Sequence, residues 1–163
     1  MVLGIGDIRG KVGAEREISY GVDLGELGLE SAHVRVVGEV ALDLVLGVIT
    51  EGMGLDGTAD AKWAGECRRC LNEVKGETTA EVHEIFEVRP TEGETYPLGV
   101  ETVDIEPAVR DAVLLALPLT PLCRDDCPGP DPERFPTTVE SSEPVEPKPD
   151  PRWAALDGLN FDE

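Results

Sequence analysis

The sequence predicts an α+β domain: an antiparallel β-meander with one buried helix, a four-cysteine zinc knuckle and a disordered, acidic, proline-rich tail. Three observations lead to this prediction. Three long stretches alternate apolar and polar residues, one later stretch has apolar residues at helical spacing, and the four cysteines form two close pairs. Because only 4% of the residues are aromatic, the core is expected to be mainly aliphatic.

Four strands are expected before the helix. A short strand is predicted over residues 15–22, and a longer one over residues 33–49, with a bend at Gly38 and Gly47. Residues 52–66 and 73–88 repeat the alternation of apolar and polar side chains. Since short links join the last three stretches, they are predicted to pair as an antiparallel meander.

The helix is predicted between two sequence signals. Asp104 is the expected N-cap, a Glu-Pro pair follows in the first turn, and Pro118 ends the helix. The apolar residues in between recur at helical spacing, and Leu114 and Leu115 widen the apolar face. The helix is therefore expected to be well buried against the sheet.

The chain of 163 residues is long enough for one domain and a tail. Residues 1–129 are predicted to form the folded domain. Residues 130–150 are acidic and proline-rich, and they cannot bury enough apolar surface to offset their ordering entropy, so they are expected to be disordered. Residues 151–163 are predicted to be a short amphipathic segment that docks on its own domain or on another molecule.

Charge and hydropathy limit the class of partner. The net charge of −20 disfavours a broad, non-specific contact with nucleic acid phosphates and favours basic protein partners. The first residues do not resemble a secretory signal, and no run approaches the roughly 18 apolar residues of a membrane span. We therefore expect a cytoplasmic protein without membrane contact, in which cysteines are more often metal ligands or catalytic thiols than disulfides.

The four cysteines predict a metal site. Cys67 and Cys70 lie at the joint between the second and third long strands, and Cys123 and Cys127 follow the helix. Two close pairs, with no other cysteine, indicate one tetrahedral zinc site of four thiolates if the helix packs back across the sheet. Such a site leaves no open position for a bound water, so it is predicted to be structural and not catalytic.

Two alternatives for the cysteines stay open. A redox pair usually precedes a helix, whereas Cys67 and Cys70 have strand-like flanks, and the thiols can also be unliganded or disulfide-linked. Other chemistry is scarce, because His33 and His83 lack companion motifs and GIGDIRG lacks the features of a phosphate-binding loop. No catalytic residue, no enzymatic activity and no small-molecule substrate is predicted.

A small basic cluster surrounds the first cysteine pair. It consists of Lys62, Arg68, Arg69 and Lys75 in an otherwise acidic chain. These cations can neutralise a four-thiolate zinc centre, which carries net negative charge, or they can contact RNA phosphates or a partner, with arginine as the expected donor. The two interpretations are compatible.

Four stretches carry a resemblance to a known family: ECRRCLNEV at 66–74, VDIEPAVRDAVLLALPLTPLC at 103–123, CRDDC at 123–127 and KPDPRWAALDGL at 148–159. In this order they resemble the YceD family, the large ribosomal RNA subunit accumulation proteins of bacteria and plastids. Many relatives continue with a further C-P-x-C-G, whereas this chain reads CPGPDPERF. A ligand set that needs those additional cysteines is therefore impossible here, and four thiols remain.

The resemblance implies a non-enzymatic role in the accumulation or processing of large-subunit (23S) ribosomal RNA. It also implies metal binding by the cysteines, and contact with that RNA or with a ribosomal protein. By matching position, the carried-over residues are Cys67, Cys70, Cys123 and Cys127. Two other functions stay open: an acidic module that binds a basic ribosomal protein without touching RNA, and a thiol oxidoreductase.

Overall fold

The computed structural model describes residues 1–24 and 34–136 of the chain. Within these ranges the backbone is mostly β-sheet, with one short helix. The elements in chain order are β1 (Val2–Gly4), β2 (Glu15–Val22), β3 (Val34–Val36), β4 (Val40–Val48), β5 (Gly52–Glu66), β6 (Glu73–Glu87), β7 (Tyr96–Pro97), β8 (Thr102–Asp104) and α1 (Glu106–Ala116).

The predicted meander is confirmed. β4, β5 and β6 pair antiparallel in sequence order, and β2 lies antiparallel along the outer side of β4. The β5–β6 hairpin is paired over the whole length of both strands, from Gly52 opposite Glu87 to Glu66 opposite Glu73. The long hairpin therefore carries its turn, with the first cysteine pair, to one end of the sheet.

The single strand expected over residues 33–49 is wrong, because the chain forms two strands there. Gly38 has a φ of +76°, in the left-handed region that interrupts a strand. β3 and β4 nevertheless follow the same side of β5: Val36 lies opposite Trp63, and Ala41 lies opposite Asp60. The sequence showed the bend at Gly38 but not the complete break in the strand.

One face of the sheet forms the core. Alternate residues of β4, such as Leu42, Leu44 and Leu46, are buried, as the alternation predicts. They pack in one cluster with Val103 of β8 and Val109 of α1, so the helix and the small β1–β8 sheet cover this face. Residues between them in sequence, such as Asp43, Asp56 and Glu81, are exposed on the opposite face.

The helix begins one residue later than predicted. Its N-cap is Ile105, because Asp104 is the last residue of β8; the Asp104 carboxylate still accepts a hydrogen bond of 3.1 Å from the Glu106 N–H. At the other end, the Thr78 hydroxyl donates to the Ala116 carbonyl at 3.0 Å. Both ends of α1 are therefore bonded to strands.

Burial of the helix is confined to one side. Ala108, Val109 and Val113 are buried against the sheet, whereas Leu115 is 88% exposed. The expectation that Leu115 adds to the buried face is wrong, because its side chain is exposed to solvent.

The short strands and the chain ends differ further from the prediction. β1, β7 and β8 have only two or three residues each, too few to show a period in the sequence. Val88 was expected in the last long strand, but it lies beyond β6 and is 64% exposed. Residues 137–150 of the predicted linker, residues 151–163 and His33 lie outside the described residues.

With 11 residues, α1 is too short to cross a bilayer, and the described part of the chain contains no helix suited to doing so.

Candidate metal centre

The turn between β5 and β6 holds the first cysteine pair in a tight backbone loop. The Cys67 N–H donates to the Asn72 carbonyl at 2.8 Å, and the Leu71 N–H donates to the Cys67 carbonyl at 2.9 Å. Leu71 has a φ of +63°, a left-handed conformation that closes the turn. The loop therefore folds back on itself and brings Cys70 close to Cys67.

The loop after α1 docks on this turn through its backbone. The Arg68 N–H in the turn donates to the carbonyl of the buried Pro121 in the loop at 2.9 Å. Within the loop itself, the Cys127 N–H donates to the Arg124 carbonyl at 3.1 Å. Sequence reasoning did not single out Pro121, because a backbone carbonyl leaves no signal in residue type. The bond between Arg68 and Pro121 joins two residues that are far apart in the chain, and each of them lies close in sequence to one of the cysteine pairs.

The four sulfur atoms converge, as the spacing of the two pairs predicts. The Sγ atoms of Cys67 and Cys127 are 3.8 Å apart, those of Cys70 and Cys123 are 3.7 Å apart, and all four lie within 4.8 Å of one another. All four are free thiols, because a disulfide bond requires a separation of about 2.05 Å. The arrangement can hold a metal ion.

Exposure differs among the four thiols. Cys67 and Cys127 are buried, Cys70 is half-buried and Cys123 is exposed. The centre therefore lies at the surface, with two sulfurs facing the protein interior and two nearer the solvent.

Backbone amides favour the ionised form of Cys67. The N–H of Cys70 is the largest influence, and the N–H groups of Cys123 and Arg69 act in the same direction; together they overcome the opposing effect of burial and lower the pKa of Cys67 to about 6. A thiolate is the form of cysteine that binds metals. The turn therefore stabilises the thiolate form of Cys67, which is the form that can bind a metal.

The second pair shows the opposite effect. The hydrogen bond with Cys127, followed by burial and contacts with Cys70 and Cys67, raises the pKa of Cys123 to about 12. Four sulfurs this close cannot all carry negative charge unless a cation balances them. The donor set therefore suits a metal cation, which would hold all four as thiolates.

Arg69 joins the two cysteine loops. Its Nη1 donates to the Asp125 carbonyl at 2.8 Å and to the Cys127 carbonyl at 3.2 Å. Both acceptors belong to the second loop, whereas Arg69 itself belongs to the first. Arg69, which was predicted to contact RNA or a partner, therefore stabilises the packing of the two cysteine loops against each other.

The other predicted contact residues are placed differently. The Lys62 ammonium lies 3.9 Å from Glu77 and the Lys75 ammonium lies 3.5 Å from Glu73, in exposed pairs that contribute little stability. The guanidinium of Arg68 is exposed and has no hydrogen bond or ion pair within residues 1–24 and 34–136. Of the four basic residues, Arg68 is thus the one best placed to contact another molecule.

His83 is on the exposed face of the sheet, where its ring contacts the Asp56 carboxylate. It is remote from the cysteines in the hairpin, since Asp56 and His83 face each other near the other end of β5 and β6.

Comparison with known proteins places these features in a family. A family model described as "Large ribosomal RNA subunit accumulation protein YceD" matches residues 55–160, a range that includes all four cysteines. No solved structure matches the chain significantly.

Curated relatives come from mycobacteria and are themselves named as uncharacterized proteins. One from Mycobacterium tuberculosis and one from Mycobacterium bovis are each 36% identical over 138 residues, covering 80% of this chain and 66% of the relative. One from Mycobacterium leprae is 31% identical over 140 residues, covering 82% of this chain and 64% of the relative. The chain thus spans slightly less than two thirds of the length of these relatives.

Proposed function

The chain belongs to the YceD family, and from this membership we propose that it is a non-enzymatic factor supporting the accumulation or processing of large-subunit ribosomal RNA in the cytoplasm. The match of residues 55–160 to a family described by large ribosomal RNA subunit accumulation is the observation that carries the proposal. The matched range includes all four residues of the cysteine centre.

The direct test measures large-subunit ribosomal RNA in cells that lack this protein, relative to small-subunit ribosomal RNA. The ratio falls in the deletion strain and recovers when the wild-type gene is returned. An unchanged ratio, together with normal large subunits in a sucrose gradient, would contradict the proposed role.

Zinc is the proposed metal. In a tetrahedral zinc site with Zn–S bonds of about 2.3 Å, neighbouring sulfurs are about 3.8 Å apart. The separations of 3.8 Å and 3.7 Å across the two cysteine loops support this geometry. Four protein ligands leave no open coordination position, so zinc here joins the helix-following loop to the hairpin and performs no catalysis.

Elemental analysis of protein purified without chelator tests the metal. We expect about one zinc ion per chain, and loss of the metal when Cys67 is changed to Ser, because its sulfur is one of the four proposed ligands. Less than about half a zinc ion per chain, with all four thiols free to react, would contradict zinc binding.

Arg68 is the proposed contact with RNA phosphate. Arginine suits this task because its planar guanidinium donates two parallel hydrogen bonds to phosphate oxygens. The test is ultraviolet crosslinking in cells, comparing Arg68→Glu with Arg89→Glu, an equal charge change beyond the opposite end of β6. Loss of crosslinked RNA only for Arg68→Glu, at unchanged zinc content, supports direct contact.

A second function is favoured by the net charge of −20. An acidic module can bind a basic ribosomal protein and affect the ribosomal RNA without touching it. Crosslinks to protein alone, with no RNA recovered from residues 62–75, would favour this function. Thiol oxidoreductase activity is the remaining alternative, and insulin reduction that depends on Cys67 would favour it.

A further inference from the structure

A groove runs between α1 and the edge of the sheet formed by β6 and β7. Its volume is about 610 Å³. The side chains that define its chemistry are Glu84, Glu94, Tyr96, Asp111, Leu114 and Leu115. None of them belongs to the cysteine centre or to the basic cluster.

Two adjacent leucines give the groove an apolar side. Leu114 is half-buried and Leu115 is 88% exposed, both on the second half of α1. A single exposed leucine is ordinary on a protein surface. Here, however, the exposed leucine lines a groove beside a second leucine, an arrangement that can accept the apolar face of a partner helix.

Carboxylates surround this apolar side. Glu84 and Glu94 approach from the β6–β7 side and Asp111 from the helix, and no Lys or Arg lines the groove. Three acidic groups with no basic neighbour in the lining create a site that attracts cations and repels phosphate.

The wall of the groove is fixed before any partner binds. The Tyr96 hydroxyl donates to Asp111 Oδ2 at 2.8 Å, and the Tyr96 ring packs against Phe86 with centroids 5.5 Å apart. Burial and the neighbouring Asp111 carboxylate raise the pKa of Tyr96, so its hydroxyl stays protonated and keeps donating. This bond holds the helix and β7 at a fixed separation, which reduces the entropy lost on binding.

We propose that this groove binds a basic amphipathic segment of a partner protein. The apolar side chains of the partner would contact Leu114 and Leu115, and its Lys or Arg side chains would pair with the three carboxylates of the groove. The proposal goes beyond the role in ribosomal RNA accumulation and does not depend on it. RNA is disfavoured as the occupant, because the carboxylates repel its phosphates.

Two occupants from the protein itself are also disfavoured by charge. A second copy of the chain carries the same net charge of −20. The chain's own residues 151–163 contain one Arg against two Asp and one Glu, so this segment is acidic as well. A basic partner is the occupant that complements the groove.

The test uses the full chain and a synthetic helical peptide with leucines on one face and lysines on the other. Calorimetric titration near physiological salt compares Leu115→Ser and Glu94→Lys in the groove with controls outside it. The matched controls are Leu119→Ser, at another exposed leucine, and Glu81→Lys, on the exposed face of the sheet.

We expect each groove variant to weaken peptide binding by about tenfold or more, and each control to change it by no more than about twofold. All five proteins should have the same melting temperature, since the changed side chains are exposed. Equal weakening by Glu94→Lys and Glu81→Lys would overturn the proposal, because binding would then depend only on overall charge. Absence of binding to the wild-type protein would also overturn it.

Two further results would assign the groove to another occupant and overturn the proposal. If the NMR signal of the Trp153 indole shifts in Leu115→Ser without peptide, the chain's own residues 151–163 occupy the groove. If the wild-type protein is a dimer and Leu115→Ser is a monomer, a second copy occupies it. Neither readout involves ribosomal RNA, so failure here is distinguishable from failure of the proposed function.

Discussion

Two adjacent arginines at the cysteine turn have different tasks although they are identical in type. The side chain of Arg69 donates to carbonyls of the second cysteine loop, whereas the side chain of Arg68 is exposed. Sequence alone predicted both as basic residues near a metal centre. It could not separate them, because the difference lies in the direction of each side chain out of a tight turn.

Arg69→Gln should weaken metal binding, while Arg68→Gln should not. The loss of two hydrogen bonds from Arg69 frees the loop that carries Cys123 and Cys127, and residues that support metal ligands typically change affinity by about 10-fold to 100-fold. Competition with a zinc-selective chelator measures this affinity. Equal zinc affinities for the two variants would show that the bonds from Arg69 do not support the centre.

Gly57 is a position where only glycine is compatible with the fold. Its φ is +142°, and a Cβ atom there would lie 2.2 Å from the Asp43 carbonyl oxygen on the neighbouring strand. Gly57→Ala should therefore lower the free energy of unfolding by about 3 kcal/mol or more, from backbone strain and the clash together.

Gly47→Ala is the matched control for Gly57→Ala. A Cβ atom at Gly47 meets only the Glu15 side chain at 3.8 Å, an ordinary contact, and its φ is not in the left-handed region. We expect a change within about 1 kcal/mol in urea unfolding. Similar losses for both variants would mean that glycines in these strands are not distinguished by their local geometry.

At the scale of elements, the accuracy of the secondary-structure prediction depended on the length of each element. The long strands were recognised because alternation over 8 to 15 residues is a strong pattern, and β2 and β5 have the predicted bounds. β1, β7 and β8 were missed because their pairing is decided by distant partners, such as Leu3 opposite Val103. The helix was located correctly, but its exposed side was not, because Leu115 is apolar and only the packing shows which face is buried.

The helix should lose stability through its buried side alone. Val109→Ala removes two methyl groups from a fully buried site, and we expect it to lower the free energy of unfolding by about 1–3 kcal/mol. Leu115→Ala should change it by less than about 0.5 kcal/mol, because the side chain is 88% exposed. Chemical denaturation measures both, and a large effect of Leu115→Ala would place that side chain in a packed contact.

At the scale of the whole molecule, the convergence of the four cysteines was predictable and its cause was not. Spacing indicated two pairs and one site, but the meeting of residues 60 positions apart depends on how α1 packs across β5 and β6. The docking bond from Arg68 to Pro121 joins two backbone groups, so no residue pattern announces it.

Removal of the proposed zinc ion should loosen the molecule without unfolding it. The core on the sheet consists mainly of aliphatic side chains, together with Phe86 and Met53, and includes none of the four cysteines, so the β-sheet signal in circular dichroism should persist after chelation. The melting temperature should fall by about 5 °C or more, because a ligand that binds only the folded state stabilises it.

Cys123→Ser provides the control for chelation. This variant should already have the lower melting temperature, and chelator should not lower it further. Complete loss of the sheet signal on chelation would mean that the metal, and not the aliphatic core, holds the fold together.

The bonds at both ends of α1 have a consequence for how the protein opens. The helix follows directly from β8, which is paired with β1, and its last turn is bonded to Thr78 and leads into the loop docked on the hairpin. An element held at both ends cannot detach alone, so amide hydrogens of α1 should exchange with solvent only when β6 opens as well. With the metal bound, helix and hairpin would form one cooperative opening unit; after chelation, the last turn of the helix should begin to exchange before the first.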